Sequence, residues 1–183
     1  MTALLEVPAI RRQTTRLSVQ DFHRLGEGLR AELLEGILIN KMPKSPLHQF
    51  TVERLRRILS TQIDPAWILR QEGPMTFVDS EPEPDLAIVP APEDAYRFHH
   101  PHTAALVVEV AISSLEIDRV KAHIYAEARI PEYWIVCPEE KSVEVYRQPS
   151  PEGYTAPIIF TAPAVIHCAV LPGVSVDLAA LFA

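Results

Sequence analysis

The chain is poor in the residues that mark many common site chemistries. Its 183 residues hold only 2 cysteines and 6 glycines, and aromatic residues make up 7%. Two cysteines do not build a disulfide scaffold; Cys137 and Cys168 each lie in an apolar stretch and read as small core hydrophobes. There is no glycine-rich phosphate loop, no Gly-x-Ser-x-Gly and no Cys-x-x-Cys. Those absences remove nucleotide-binding, serine-hydrolase and zinc-ribbon readings. There is no basic surplus either. The 17 Lys and Arg residues face 24 Asp and Glu, a net charge of −7, so charge alone cannot coat this protein onto nucleic acid. An enzyme of this charge acting on phosphates needs a local basic surface and metal ions. Lys41, Lys44, Arg54, Arg56 and Arg57 are the candidates for that surface, with a solvated helix face as the alternative for the arginines. No apolar run reaches membrane-spanning length, and Arg11, Arg12 and Arg16 interrupt the N-terminus before a secretory core forms. The expectation is a cytoplasmic protein.

What is present is enough apolar sequence, 48%, for one folded domain over 1–183, with 1–16 as a loose arm. Seventeen prolines against the few glycines point to stiff loops. Ser18 with Asp21 predicts a helix start, ended by Gly26 and Gly28. Ala31–Leu34 and Ile37–Ile39 flank Glu35-Gly36 as a hairpin. Val52, Leu55, Leu59 and Ile63 recur at helical spacing and predict a helix from His48 to Ile63. Strands are predicted at Trp67–Leu69, Met75–Val78, Asp85–Val89 and Ala105–Val110. The last is almost continuously apolar, as a strand covered on both faces requires. Ser113 and Glu116 form a capping-box pattern for a helix to about Ala128. Strands follow at Tyr133–Cys137, Val143–Tyr146 and Thr155–Phe160, then a short docking segment, Leu178–Phe182. This order is that of an α/β fold with a mixed central sheet flanked by helices.

Charged residues interrupt two of these strands. Asp85 opens one and Glu109 sits near the end of another, although a lone buried carboxylate is costly. Two carboxylates on neighbouring strands repel unless a cation or proton lies between them. Removing Asp85 is therefore expected to leave the metal-free fold as stable or more so. Asp118, Lys121 and Tyr125 follow at i, i+3 and i+7, on one helix face. A lysine beside paired carboxylates points to divalent-metal and phosphate chemistry. Each residue also has a plainer reading: Asp85 as a turn residue after Pro84, Glu109 as the ion-pair partner of Lys121, Glu32 as an exposed strand carboxylate. His48 reads equally as a helix-start histidine bonded to backbone. His99, His100 and His102 have no zinc spacing and read as loop residues, and Tyr133 and Trp134 as core.

The set resembles the PD-(D/E)XK nuclease superfamily, closest to a large family of restriction-endonuclease-like bacterial proteins. The matching pieces are Glu32-Leu33-Leu34-Glu35-Gly36, His48-Gln49, Pro84-Asp85, Val108-Glu109-Val110, Ser113-Ser114, Asp118, Lys121, Tyr125-Ala126 and Pro131-Glu132-Tyr133-Trp134. The superfamily pattern places lysine two residues after the second acid; that position here is Ala111, and Lys121 would replace it in space. The resemblance implies an Mg²⁺-dependent (or Mn²⁺-dependent) nuclease acting on DNA. Asp85, Glu109 and the Val110 carbonyl would hold the ion, Lys121 would act on water and phosphate, and Glu32 would approach from the side. His48, Ser113, Asp118 and Tyr125 would support these groups. Cutting both strands of a duplex takes two active sites, so a homodimer or higher even assembly is expected, with a possible recognition partner subunit. The rival is a non-catalytic nucleic-acid-binding or assembly module that keeps the fold, which the acidic charge and Ala111 favour.

Overall fold

A computed structural model describes residues 16–26 and 29–183. The predicted arm, up to residue 15, and Gly28 lie outside the described residues. Helix α1, Val19–Arg24, begins as its sequence predicts: the Ser18 side chain accepts from the Asp21 N–H, and the Asp21 side chain reaches back to Ser18. Strands β1, Ala31–Leu34, and β2, Ile37–Asn40, pair as the expected hairpin. Its turn residues Glu35 and Gly36 both take positive φ, 50° and 76°, the geometry that matches strand twist. A Cβ on Gly36 would stand 3.1 Å from the Leu17 carbonyl oxygen, so the turn leaves room only for glycine.

Helix α2 runs Pro46–Ser60, starting and ending earlier than hydrophobic spacing alone predicts. Ser45 caps it and Pro46 fills the first turn, where a missing N–H costs nothing. The main sheet has the order β3-β4-β5-β6-β7-β8. Its strands are β3 Trp67–Gln71, β4 Leu86–Pro90, β5 Leu106–Val110, β6 Glu132–Cys137, β7 Ser142–Arg147 and β8 Ile158–Thr161. Among these neighbours only β5 and β6 are parallel. Helix α3, Leu115–Glu127, makes the crossover that parallel pairing requires. Two small strands, β9 Val165–His167 and β10 Ser175–Asp177, pair with each other and lead into α4, Leu178–Leu181. The predicted α/β mixed sheet flanked by helices is the architecture found.

Alternation along β5 sets the two faces. Leu106, Val108 and Val110 join Val52, Leu55 and Leu59 of α2 in one core. Val107 and Ala111 join Ala122 and Tyr125 of α3 in the other. Glu109 alternates with the second set, so its side chain belongs to the α3 face. Trp134 and Tyr133 are core residues, and Cys137 and Cys168 are free and buried, as expected. No helix among the described residues is long and apolar enough to cross a membrane.

Four expectations change. Met75–Val78 is not a strand: Met75 is fully buried, but its N–H goes to the Pro82 carbonyl and that of Thr76 to Pro101, both in loops. Only Met75 of the run is buried, and Val78 is exposed. The Ser113–Glu116 capping box does not form; Ser114 takes the cap position, and its hydroxyl donates to Asp118 Oδ2 at 2.6 Å. Strand β8 lies later than Thr155–Phe160, and β9 and β10, three residues each, are too short for a periodic signal. Leu178 and Leu181, expected within an apolar surface that a partner could cover, are buried in the α2 core.

Candidate active site

The end of the β4–β5 pair brings the two strand acids together. The Asp85 N–H donates to Glu109 Oε2 at 3.3 Å, and the Val110 N–H donates to Asp85 Oδ2 at 2.8 Å. Because antiparallel neighbours place their chain ends side by side, residues 24 apart in sequence meet across one peptide group. From the α3 face, Lys121 Nζ reaches Glu109 Oε1 at 2.8 Å and Glu32 Oε1 of β1 at 3.1 Å. From α2, His48 Nε2 stands 3.0 Å from Asp85 Oδ2, while His48 Nδ1 is buried with no hydrogen-bond partner among the described residues. These groups line a cleft of about 140 Å³ between the hairpin, α2 and the start of α3.

The supporting residues are placed as follows. Tyr125 is buried with its hydroxyl 3.4 Å from Glu109 Oε1. Asp118 Oδ1 is 3.8 Å from Lys121 Nζ, and its other oxygen is taken by Ser114. Ser113 lines the cleft, but its neighbour Ser114 makes the bond to Asp118. The Val110 N–H points at Asp85, and a strand residue's carbonyl leaves on the same edge as its N–H. The three loop histidines lie apart from these groups, around a separate pocket with Tyr96 and Phe98. Of the basic candidates, Arg54 donates to the Leu181 and Ala183 carbonyls and Arg56 pairs with Glu53 on the helix surface. Lys41 lines the cleft, bonded to Glu83. Lys44, a candidate for the local basic surface, has its Nζ 2.9 Å from Asp85 Oδ1 and 3.1 Å from Glu72 Oε1. No sequence period links that loop lysine to Asp85.

A family model described as "Uma2: Putative restriction endonuclease" matches residues 19–179. The chain belongs to that family. It is also similar in fold to a solved structure from Anabaena variabilis ATCC 29413, titled as a "putative nuclease belonging to DUF820". That likeness has a TM-score of 0.77 at 18% identity and covers 91% of this chain and 97% of the other. No curated protein matches the chain. The fold is the restriction-endonuclease-like fold of the PD-(D/E)XK superfamily.

In this Uma2-family chain the cleft gathers four buried carboxylates, Glu32, Asp85, Glu109 and Asp118. Burial pushes the Glu109 carboxyl well above the usual range; Lys121 opposes the shift, while Asp118, Asp85 and Glu32 add to it. Burial also raises Asp118, again against Lys121 and the Ser114 hydrogen bond. Burial would drive Lys121 to shed its proton, but Glu109, Glu32 and Asp118 outweigh it and hold the ammonium above the ordinary lysine value. For Asp85, burial is outweighed by His48 and Lys44, and the carboxylate sits below its usual value. The two strand acids are thus pushed apart, Asp85 below its usual value and Glu109 above. Among the described residues no three His, Cys, Asp or Glu side chains are already arranged to hold an ion. The oxygens that would do so are held by Lys44, His48 and Lys121. The donor set nonetheless fits a hard divalent cation, which prefers carboxylate and carbonyl oxygen and keeps several waters.

Proposed function

We propose that this chain is a metal-dependent nuclease that hydrolyses phosphodiester bonds of DNA, with Mg²⁺ as its ion and Mn²⁺ as a substitute. The observation that carries this reading is the meeting of Asp85 and Glu109 at one peptide group with Lys121 against Glu109. Asp85, Glu109 and the Val110 carbonyl would hold the ion. A divalent ion bound there supplies Lewis acidity to a phosphate and lowers the pKa of a water. Lys121 keeps its proton, so it donates hydrogen bonds to water and phosphate oxygen rather than abstracting a proton. Glu32 and Asp118 hold the ammonium in place, and Tyr125 donates to Glu109. His48 anchors Asp85 through Nε2. Lys41 and Lys44 give this acidic chain its local positive rim. A homodimer supplies the second site for the second strand of a duplex, and a partner subunit supplies sequence selectivity.

The second reading, a nucleic-acid-binding or assembly module without catalysis, is favoured by two observations: each cleft acid already has a cation or N–H partner, and Ala111 occupies the superfamily's lysine position. Calorimetric titration with Mg²⁺ and Mn²⁺, followed by cleavage assays on several nucleic acids, separates the two. The nuclease reading expects ion binding, cleavage abolished by chelator, and Lys121→Ala that binds the ion but does not cut. Wild-type protein that takes up no divalent ion at millimolar concentration supports the module instead.

A further inference from the structure

Asp85 presents its two oxygens to different company. Oδ2 takes the Val110 N–H at 2.8 Å and His48 Nε2 at 3.0 Å, which fix the carboxylate in the sheet. Oδ1 has, among the described residues, one partner: Lys44 Nζ at 2.9 Å. Lys44 is also the cleft lysine best placed to leave. Lys121 is buried among three carboxylates, with its side chain 6% exposed. The Lys44 side chain is 32% exposed and belongs to the short loop between β2 and α2. It has a second anchor, Glu72 Oε1 at 3.1 Å, on a side chain that is itself 41% exposed. The Glu72 backbone N–H donates to the Asp85 carbonyl at 3.1 Å, so the backbones that carry the two carboxylates lie side by side.

We propose that Lys44 is a displaceable stand-in for the divalent cation at Asp85 Oδ1, and that once displaced it positions a phosphate of the nucleic-acid substrate. The inference rests on the nuclease reading above. An ammonium and a divalent ion cannot share one carboxylate oxygen without strong repulsion. Lys44 on Oδ1 therefore weakens ion binding, and ion binding releases Lys44 by the same factor. The released amine stays at the cleft mouth on the Glu72 side, charged and short of an acceptor. A phosphate oxygen of the substrate supplies one, so that ion and nucleic acid each strengthen the binding of the other. Glu72 keeps the lysine from swinging into solvent in between.

The test is Lys44→Met, a change at a partly exposed side chain, with a thermal melt to confirm the fold. Mn²⁺ titrated into the protein without nucleic acid should bind Lys44→Met more tightly than wild type, by about tenfold, a typical coupling between competing sites. In a Lys121→Ala background, the Mn²⁺-dependent gain in affinity for a DNA duplex should shrink, and the salt slope should fall by about one phosphate contact. Lys44→Arg should restore both readouts. A merely structural lysine predicts unchanged or weaker Mn²⁺ binding in Lys44→Met, and that result, or an unchanged DNA salt slope, overturns the proposal while leaving the nuclease reading intact. Wild-type protein that binds no Mn²⁺ overturns both.

Discussion

Lys121 Nζ lies 2.8 Å from Glu109 Oε1, having arrived from helix α3 rather than from the strand that carries the acid. The strand position that shares Glu109's face is Ala111, buried at 4% exposure among Ala122 and Tyr125. The cationic slot is thus filled from across the layer, by a helix residue.

Moving the lysine back should partly restore what removing it destroys. Lys121→Ala should abolish cleavage. Ala111→Lys alone should cost stability, about 1–3 kcal/mol, because a long side chain enters a packed core. The double variant Ala111→Lys with Lys121→Ala should recover measurable cleavage, since residues two apart on a strand project to one face. Single-turnover assays on the three proteins check this; a double variant as dead as Lys121→Ala would show that the helix position itself is needed.

Asp85 behaves differently from what carboxylate repulsion alone predicts. Its carboxylate receives the buried Val110 N–H, Lys44 and His48, so truncation leaves a buried donor without an acceptor. Asp85→Ala should lose about 1–3 kcal/mol of metal-free stability rather than gain any. Asp85→Asn keeps an oxygen for the Val110 N–H and should lose less. Both should lose divalent-ion binding. Denaturant melts in chelator with parallel calorimetry give the ranking, and equal stability of Asp85→Ala and wild type would contradict it.

Much of this site was legible because charge interrupted apolar periodicity. Asp85 and Glu109 stood out against their strands, and the spacing of Asp118, Lys121 and Tyr125 put them on one face of α3. The hairpin and the first capping box followed from Glu35-Gly36 and Ser18 with Asp21. What stayed hidden lacks a repeating signal. Lys44 and Glu72 sit in or beside loops, and only the close approach of β3, β4 and the loop before α2 brings them to Asp85. Ser113 reads as the cap rather than Ser114 because Glu116 lies three residues after Ser113, whereas Ile117 lies three after Ser114. Met75–Val78 reads as a strand because its β-branched and aromatic residues match strand composition, although only Met75 is buried.

The expected even assembly has a specific surface to test. Strand β8 is an edge of the six-stranded sheet, and Ile158 and Ile159 on it are 53% and 62% exposed. An unpaired apolar edge invites pairing with another copy. Light scattering at micromolar concentration should give a dimer mass, and Ile159→Lys should shift it to monomer without altering the thermal fold of the single chain. A monomer mass for wild type would remove the homodimer from the functional scheme.

Glu109 makes the pH dependence of the metal-free protein unusual for an acid. Burial, reinforced by Asp118, Asp85 and Glu32 against the pull of Lys121, lifts its folded-state pKa well above the ordinary 4.5. The folded chain therefore binds a proton that the unfolded chain has already released. That contribution to stability is fully present below the unfolded value and is lost as pH rises through the folded one. Between the two values, stability should fall by about 1.4 kcal/mol per pH unit from this group. Glu109→Gln cannot ionise, so in chelator its stability relative to wild type should improve as pH rises from the unfolded value towards the folded one. Melts of both proteins across that range measure the difference, and NMR of the Glu109 carboxyl gives the folded pKa directly. A wild-type Glu109 that titrates at or below 4.5 in metal-free protein would mean that Lys121 outweighs burial, and the advantage of Glu109→Gln should then be absent at every pH tested.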